Sequence, residues 1–231
     1  MSDSTQKPLT FKYFKLRARG EAARIVLALA GDKCDCEEVN YDVPFFSEEG
    51  AKAWAENRQS LPFGKVPSLE VRENGTVLKI PETGAITGFL ARRYGLAGQN
   101  AAQNAACDAL VIKANDIMQT VFPAVYLRKT HTAVETLREA DHPSTKGLRE
   151  LEGYLQMLKK EHNSLIFDSL TVGDIAVYCL AEGYFQGLHK DMPEQPEVLD
   201  VLSELFPSVR GTFDVVRAHP DMQSFLQNRE I

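Results

Sequence analysis

The sequence predicts an α/β domain followed by an all-α domain. Short runs with the two-residue period of a β-strand occur only in the first third of the chain. Beyond residue 103, apolar residues recur every three to four positions and strand signals nearly vanish. Residues 95–103, rich in Gly, Ala, Asn and Gln, are the best linker candidate between the two parts. We therefore expect one domain at residues 8–95 and an all-helical domain at residues 103–231.

The first half of the α/β domain reads as strand, helix, strand. Apolar and polar residues alternate over residues 9–13, and apolar residues then follow at i, i+3, i+4 and i+7 over residues 22–29. Residues 36–41 read as a second strand, and the polar stretch 47–58 as a short helix in a long loop. A strand, crossover helix and strand in this order favour a parallel, right-handed unit.

The second half of this domain reads as a hairpin and a helix. Asn74-Gly75 separates two β-rich runs, at residues 68–72 and 76–80, and is the strongest short hairpin signal available. A helix is predicted from Thr83 to about Tyr94. The resulting order, β-α-β-α-β-β-α, is that of a thioredoxin-like domain.

The remaining chain reads as a bundle of helices. One long apolar stripe is interrupted or kinked by Pro123, and a second is built from leucines at residues 148–158. Thr171 and Asp174, three residues apart, are typical of a capping box at the start of another helix. Further helices are predicted around residues 209–216 and 222–226.

Composition excludes several classes of protein. The 231 residues carry a formal charge of −6, which argues against a general nucleic-acid binder, and no apolar run approaches the ~20 residues of a membrane span. Residues 1–8 are polar and lack the apolar core of a secretory signal. The cysteines are too few and scattered for a disulfide scaffold. We expect reduced thiols and a cytoplasmic protein; the cysteines are Cys34, Cys36, Cys107 and Cys179.

Two neighbouring segments suggest a peptide ligand. Pro67 precedes a strand-like run, and a cis Val66-Pro67 bond would turn the N–H and C=O of Val66 towards an extended peptide. The helix that begins after Glu82-Thr83 directs free N–H groups and a positive dipole end forward, which suits a carboxylate. A small acidic peptide fits both features. An ordinary loop, strand and helix remains the alternative.

Three other features carry weak signals for chemistry. Tyr13 ends the first strand, where ligands collect in open α/β sheets, although an isolated tyrosine there is more often a half-buried core ring. Arg17, Arg19 and Arg24 open the next helix, where their charge opposes the helix dipole, so that one of them needs an acidic partner or a ligand carboxylate. Trp54, the only tryptophan, lies in a polar segment.

Together the motifs resemble the glutathione transferases, closest to the sigma class, which includes the glutathione-dependent prostaglandin D synthases. The resemblance runs from about Leu9 to the carboxyl end. The motifs that carry it are Tyr13-Phe14-x-x-Arg17-x-Arg19-x-Glu21, Trp54-x-x-x-Arg58, Leu61-Pro62-Phe63-Gly64-Lys65-Val66-Pro67 and Glu82-Thr83-x-Ala85-Ile86.

The resemblance implies a role for each residue of a glutathione site. Tyr13 would be the catalytic hydroxyl that hydrogen-bonds the glutathione sulfur, with Arg19 close by. Val66, before Pro67, would pair with the cysteinyl backbone. The residues implied at the glycyl carboxylate are Trp54, Arg58 and Lys65; those implied at the γ-glutamyl group are Glu82, Thr83 and Asp116 of the partner subunit.

The implied function is that of a homodimeric glutathione transferase in detoxification. Glutathione would be the co-substrate, and the acceptor a small hydrophobic electrophile held against Ile117, Val121 and Tyr126 of the helical domain. Phe63 would be an anchor between subunits, or would pack locally. Prostaglandin isomerisation or peroxide reduction uses the same chemistry, and a crystallin-like protein or a ligand carrier is the non-catalytic alternative.

The sequence departs from the family pattern in places. The usual Arg-Gly-x-Ala-Glu reads Arg-Ala-Arg-Gly-Glu at residues 17–21, so that the approach of Arg19 is open. Arg58 replaces a more usual lysine, and Glu82 stands where glutamine is common. The interface stretch that binds a divalent metal in the prostaglandin synthases has only one acid here, Asp116, and we expect no metal.

Overall fold

The first part of the chain folds into a four-stranded sheet with helices. The structure, a computed structural model, describes residues 7–44, 47–159, 161–189 and 191–229, so most of the polar segment 1–8 lies outside the described residues. The strands and helices are β1 (Leu9–Phe14), α1 (Glu21–Ala30), β2 (Cys36–Tyr41), α2 (Glu48–Asn57), β3 (Ser68–Glu73), β4 (Thr76–Pro81) and α3 (Thr83–Tyr94).

The sheet has the strand order β2-β1-β3-β4. β1 and β2 are parallel, as the crossover helix predicts, and the other neighbours are antiparallel. The hairpin turn has Asn74 at φ 52° and Gly75 at φ 75°, the left-handed pair that a two-residue hairpin requires. The predicted α/β domain is confirmed as thioredoxin-like.

The second part of the chain forms helices and no strand among the described residues. Its helices are α4 (Ala101–Phe122), α5 (Ala133–Arg138), α6 (Pro143–Leu158), α7 (Val172–Phe185), α8 (Pro196–Leu205), α9 (Pro207–Ala218) and α10 (Pro220–Asn228). α4 begins before residue 103. Pro123 interrupts the helix, as predicted, and opens a π-helical turn, Pro123–Leu127. None of the described helices has the length and apolarity that crossing a membrane requires.

Helix α7 forms the centre of the bundle and packs closely on α4. A Cβ at Gly173 would lie only 3.0 Å from Leu110 Cδ1, so the glycine lets the two helices approach. The predicted capping box is present: the carboxylate of Asp174 accepts hydrogen bonds from the N–H and the hydroxyl of Thr171 at 2.9 and 2.6 Å. The same carboxylate accepts a bond from the N–H of Ile166 at 2.8 Å.

A buried cluster of charges joins the two domains. Arg17, Glu21 and Arg24 come from the β1–α1 region, and Glu182 and Arg229 from the helical domain. Arg229 donates to both carboxylate oxygens of Glu182 at 3.0 Å. Glu21 lies 3.6 Å from Arg24 and 3.9 Å from Arg229. Burial raises the pKa of Glu21 to about 7, although Arg24 and the other arginines act against that rise.

This shift predicts a pH-dependent contribution to stability. The folded state favours protonated Glu21. The contribution of Glu21 to the stability of the fold is therefore complete below pH 4.5 and is lost as the pH rises through about 7. The difference corresponds to ~3 kcal/mol. A Glu21→Gln variant should match the wild type in urea unfolding at pH 4.5 and exceed its stability at pH 8. Glu38→Gln, at a partly exposed partner of Arg24, is the matched control. An unchanged difference between Glu21→Gln and wild type at the two pH values would contradict the assignment.

Candidate functional site

The loop before β3 has the predicted backbone. The Val66-Pro67 peptide bond is cis, which confirms that prediction, and Pro67 is buried directly before the strand. Among the described residues, Val66 makes no main-chain hydrogen bond. Its N–H and C=O are therefore available to an extended ligand.

A cavity of about 460 Å³ opens at the amino end of helix α3. Its wall includes Arg19, Glu82 and Thr83, so three of the residues implied for the glutathione site meet at one place. Asp116 of the same chain also lines the cavity, whereas the resemblance implies Asp116 of the partner subunit. Glu82 precedes the helix with φ 70°, a positive value that non-glycine residues adopt uncommonly and that occurs often at functional sites. We call this space the α3 cavity. The first turn of the helix suits an anionic group. The acidic side chains beside it suit a cationic group on the same ligand.

The residues implied for the glycyl end lie apart from this cavity. Trp54 is half-buried and meets Phe14 edge to face, with ring centroids 4.8 Å apart, and Tyr41 at 5.7 Å. Arg58 and Lys65 have exposed side chains. The structure therefore fixes Trp54 against the end of the sheet and leaves both cations accessible.

Tyr13 is packed inside the first domain. Its side chain is only 4% exposed, and it is not among the residues that line the α3 cavity. Its ring centroid lies 6.3 Å from that of Phe11 and 5.8 Å from that of Phe14. The guanidinium carbon of Arg24 stands 5.4 Å from the centroid. The ring is therefore held from several sides.

Burial also determines the protonation of Tyr13. It raises the pKa of the phenol, against the positive charges of Arg19 and Arg24. The main-chain N–H groups of Arg19 and Gly20 interact with the hydroxyl oxygen and act in the same direction as those charges. The phenol is thus neutral near pH 7, as a hydrogen-bond donor must be.

Both positions of the glycine–alanine exchange, 18 and 20, have an unusual local structure. Ala18, where the family pattern has glycine, adopts φ 51°. Gly20, where the pattern has alanine, lies against the ring of Tyr13. Arg19 between them has an exposed side chain that reaches the α3 cavity.

A larger, more apolar cavity of about 940 Å³ lies between the two domains. We call it the interdomain cavity. Its apolar wall comes from the β1–α1 turn, the end of β2, the π-helical turn and the segment after α7: Leu16, Val43, Val125, Tyr126 and Leu188. Tyr126 donates its hydroxyl proton to the carbonyl of Gly183, and burial raises its pKa to about 12.

The expectation that Ile117 and Val121 face an acceptor is wrong for this structure. They are 2% and 7% exposed and belong to the core, and Ile117 packs against Gly147 of α6. Both lie on the face of α4 that packs within the bundle. Of these three residues, Tyr126, beyond Pro123, is the one that lines the interdomain cavity.

Sequence reasoning missed several residues of the α3 cavity. Arg92 and Asp108 form an ion pair across α3 and α4 at 3.2 Å, in space that Gly88 leaves open. Asn115 and Gln119 also line the cavity. These residues belong to none of the motifs, and only the packing of α4 on α3 brings them to the site.

Within the described ranges, no group of three or more His, Cys, Asp or Glu side chains is arranged to hold a metal ion.

Comparison with known proteins gives a consistent family. Residues 9–92 match the family model described as glutathione S-transferase, N-terminal domain. Over 111 residues, the chain is 40% identical to a hematopoietic prostaglandin D synthase of Gallus gallus, a match that covers 48% of each chain and so about half the length of that relative. It is 22% identical over 230 residues to S-crystallin 4 of Enteroctopus dofleini, covering 95% of this chain and 96% of the relative.

A solved structure is similar over nearly the full length. A Nu-class glutathione transferase from Haemonchus contortus covers 98% of both chains, with a TM-score of 0.68 and 26% identity.

Proposed function

We propose that this chain, which belongs to the glutathione S-transferase family, is a glutathione transferase that conjugates glutathione to small hydrophobic electrophiles. Tyr13 activates the thiolate. The observation that carries the proposal is the α3 cavity, where Arg19, Glu82, Thr83 and Asp116 meet at a helix amino terminus. This arrangement suits the γ-glutamyl group, which bears both a carboxylate and an ammonium.

The two charges of the γ-glutamyl group find opposite partners in this cavity. Its carboxylate faces the first turn of α3, where unpaired N–H groups and the dipole favour an anion. Its ammonium faces the carboxylate of Glu82 and, in the homodimer proposed below, that of Asp116 of the partner subunit. Thr83, which is largely buried at the first position of the helix, orients the carboxylate through its hydroxyl.

The rest of the tripeptide follows the loop before β3. The cysteinyl backbone pairs with the free N–H and C=O of Val66, as an added strand would. The glycyl carboxylate reaches Trp54, Arg58 and Lys65, whose two cations are exposed and able to pair with it. These contacts place the sulfur towards β1 and Tyr13.

The chemical step is nucleophilic attack by the sulfur. A thiol with a pKa of ~8.5 is only a few per cent ionised at pH 7, so a hydrogen bond from the Tyr13 hydroxyl increases the reactive fraction. With chlorodinitrobenzene, the thiolate forms a C–S bond at the carbon that bears chlorine, and chloride leaves with the electron pair of the broken C–Cl bond. The thiol proton goes to solvent.

The interdomain cavity is the proposed site of the acceptor. Leu16, three residues after Tyr13, forms part of its wall, so the turn after β1 links the cavity to the proposed thiolate site. Its lining is largely apolar, as a hydrophobic electrophile requires. Such an activity belongs to detoxification, and we place the protein in the cytoplasm, where its four free cysteines stay reduced.

The proposal is tested by retention on immobilised glutathione, followed by a chlorodinitrobenzene conjugation assay of the wild type and Tyr13→Phe. Retention with turnover that depends on Tyr13 supports the transferase. Retention without turnover indicates a carrier. The absence of both retention and turnover indicates a structural protein, as the similarity to an S-crystallin suggests. The similarity to a prostaglandin D synthase favours prostaglandin isomerisation as a second activity of the same thiolate. Peroxide reduction is a further variant of that chemistry.

We also propose that the protein is a homodimer. Large apolar side chains are exposed on the first domain and on α4: Phe63 is 71%, Val77 51%, Leu78 62% and Ile112 57% exposed. A second copy of the chain would cover them, with Phe63 as an anchor. Asp116, beside Ile112 on the wall of the α3 cavity, would then face the partner as well.

Phe63→Ser should therefore weaken the dimer about 10-fold or more, because anchors of this kind carry much of the binding energy. Sedimentation over a range of concentrations measures the effect. Met157→Ser, at a 75% exposed position on α6, is the control and should leave the dimer intact. Equal dissociation constants for wild type and Phe63→Ser would rule out the anchor.

A further inference from the structure

The turn after β1 brings Gly20 into direct contact with the ring of Tyr13. A Cβ built on Gly20 would lie 2.2 Å from Cδ1 of Tyr13 and 2.6 Å from both Cε1 and Cγ. Carbon atoms in contact stand about 3.5–4.0 Å apart, so the ring occupies the space that any side chain at position 20 would need. The α-carbon of Gly20 therefore forms one wall of the Tyr13 pocket.

The ring has little freedom to move away from that wall. Phe11, Phe14 and Arg24 contact it from other sides. The backbone of Tyr13 is fixed as well, because β1 pairs with β2 and places Tyr13 opposite Asn40. A side chain at position 20 must displace either the ring or the turn.

The position of the ring fixes the position of the hydroxyl. The main-chain N–H groups of Arg19 and Gly20 interact with the hydroxyl oxygen. A neutral phenol carries an O–H proton that it can donate to a ligand. Hydrogen bonds weaken steeply with distance and angle, so a shift of about 1 Å in the ring would remove a bond to a ligand sulfur.

We propose that Gly20 is a positioning residue for Tyr13: the missing side chain creates the pocket that sets the phenol at the sulfur of glutathione. This inference rests on the proposed function, because it assigns Gly20 a role through Tyr13 and no contact with substrate. It also gives the glycine–alanine exchange at residues 18 and 20 a functional meaning.

The test is Gly20→Ala in the full chain. The expected result is a 10- to 100-fold lower kcat/KM with chlorodinitrobenzene, mainly in kcat, with KM for glutathione within about threefold of wild type. The pH profile of kcat/KM should shift towards that of free glutathione. Gly153→Ala in α6 makes the same chemical change where a Cβ would have no neighbour within 4 Å, and should leave kinetics and profile unchanged.

Two further measurements keep the outcomes separate. In the background of Tyr13→Phe, Gly20→Ala should cause no additional loss of kcat, since its effect passes through the hydroxyl. If Tyr13→Phe impairs the enzyme but folded Gly20→Ala matches the wild type, this inference is overturned and the proposed function stands. If Tyr13→Phe has no effect, the proposed mechanism fails instead.

A measurement on the wild type does not depend on the variant folding. Nuclear Overhauser contacts should connect the α-protons of Gly20 with the ring protons of Tyr13. Their absence would overturn the inference regardless of the kinetics.

Discussion

Tyr13→Phe is expected to lower kcat/KM for conjugation about 100-fold while leaving retention on immobilised glutathione intact. The variant keeps the ring, which packs between Phe11, Phe14 and Gly20, and removes only the hydroxyl. Removing one preorganised donor to a developing negative charge typically costs a factor of about 100 to 1,000. A 100-fold loss is equivalent to ~2.7 kcal/mol, or about two units in the pKa of the bound thiol.

The direction of the pH effect follows from the same hydrogen bond. A hydrogen bond to the thiolate lowers the pKa of bound glutathione, so the wild type should show more thiolate absorption at pH 7 than the variant. In Tyr13→Phe the profile of kcat/KM should move up in pH, towards free glutathione. Because burial raises the pKa of Tyr13 itself, the phenol stays protonated throughout this range and adds no second transition.

A second tyrosine variant tests whether the effect is specific to the hydroxyl of Tyr13. Tyr154→Phe removes a hydroxyl from α6, which contributes no residue to the α3 cavity. It should keep the wild-type profile. Identical thiolate spectra for wild type and Tyr13→Phe would sink the assignment of Tyr13, whatever the other residues of the site do.

Local signals in the sequence were sufficient for much of the fold. Asn74-Gly75 specifies a turn because both residues tolerate a left-handed backbone, and the structure has both there. Thr171 and Asp174 specify a helix start because their side chains satisfy orphan N–H groups. Pro67 is the one residue type that makes a cis bond common enough to expect. In each case, a few residues close together in the sequence are sufficient to determine the local structure.

The remaining features depend on contacts between distant segments. The apolar stripe of α4 predicted a helix, but periodicity does not say which face meets the bundle, and Ile117 and Val121 turned out to lie in the core. Helix α5 had a signal that was missed, since Thr132 and Glu135 form a capping box. The contact of Gly20 with Tyr13 has no local signature, because the strand and the turn meet only after folding.

The two capping boxes found among the described residues differ in burial, and this difference predicts the largest effect on stability. Asp174 is fully buried and accepts three hydrogen bonds, from the N–H and hydroxyl of Thr171 and the N–H of Ile166. Glu135, in the box at the start of α5, is exposed and accepts one from the N–H of Thr132 at 2.7 Å. Water can replace Glu135 but not Asp174.

Asp174→Ala should therefore destabilise the fold by about 3–5 kcal/mol, because three buried donors lose their acceptor and each unsatisfied group costs ~1–3 kcal/mol before relaxation. Glu135→Ala, the same truncation in the exposed box, should lose only ~1 kcal/mol. Asp174→Asn keeps one carbonyl acceptor and should fall between the two. Urea unfolding at constant pH measures all three against the wild type. Equal losses for Asp174→Ala and Glu135→Ala would mean that burial of the Asp174 carboxylate adds nothing to what a surface cap provides.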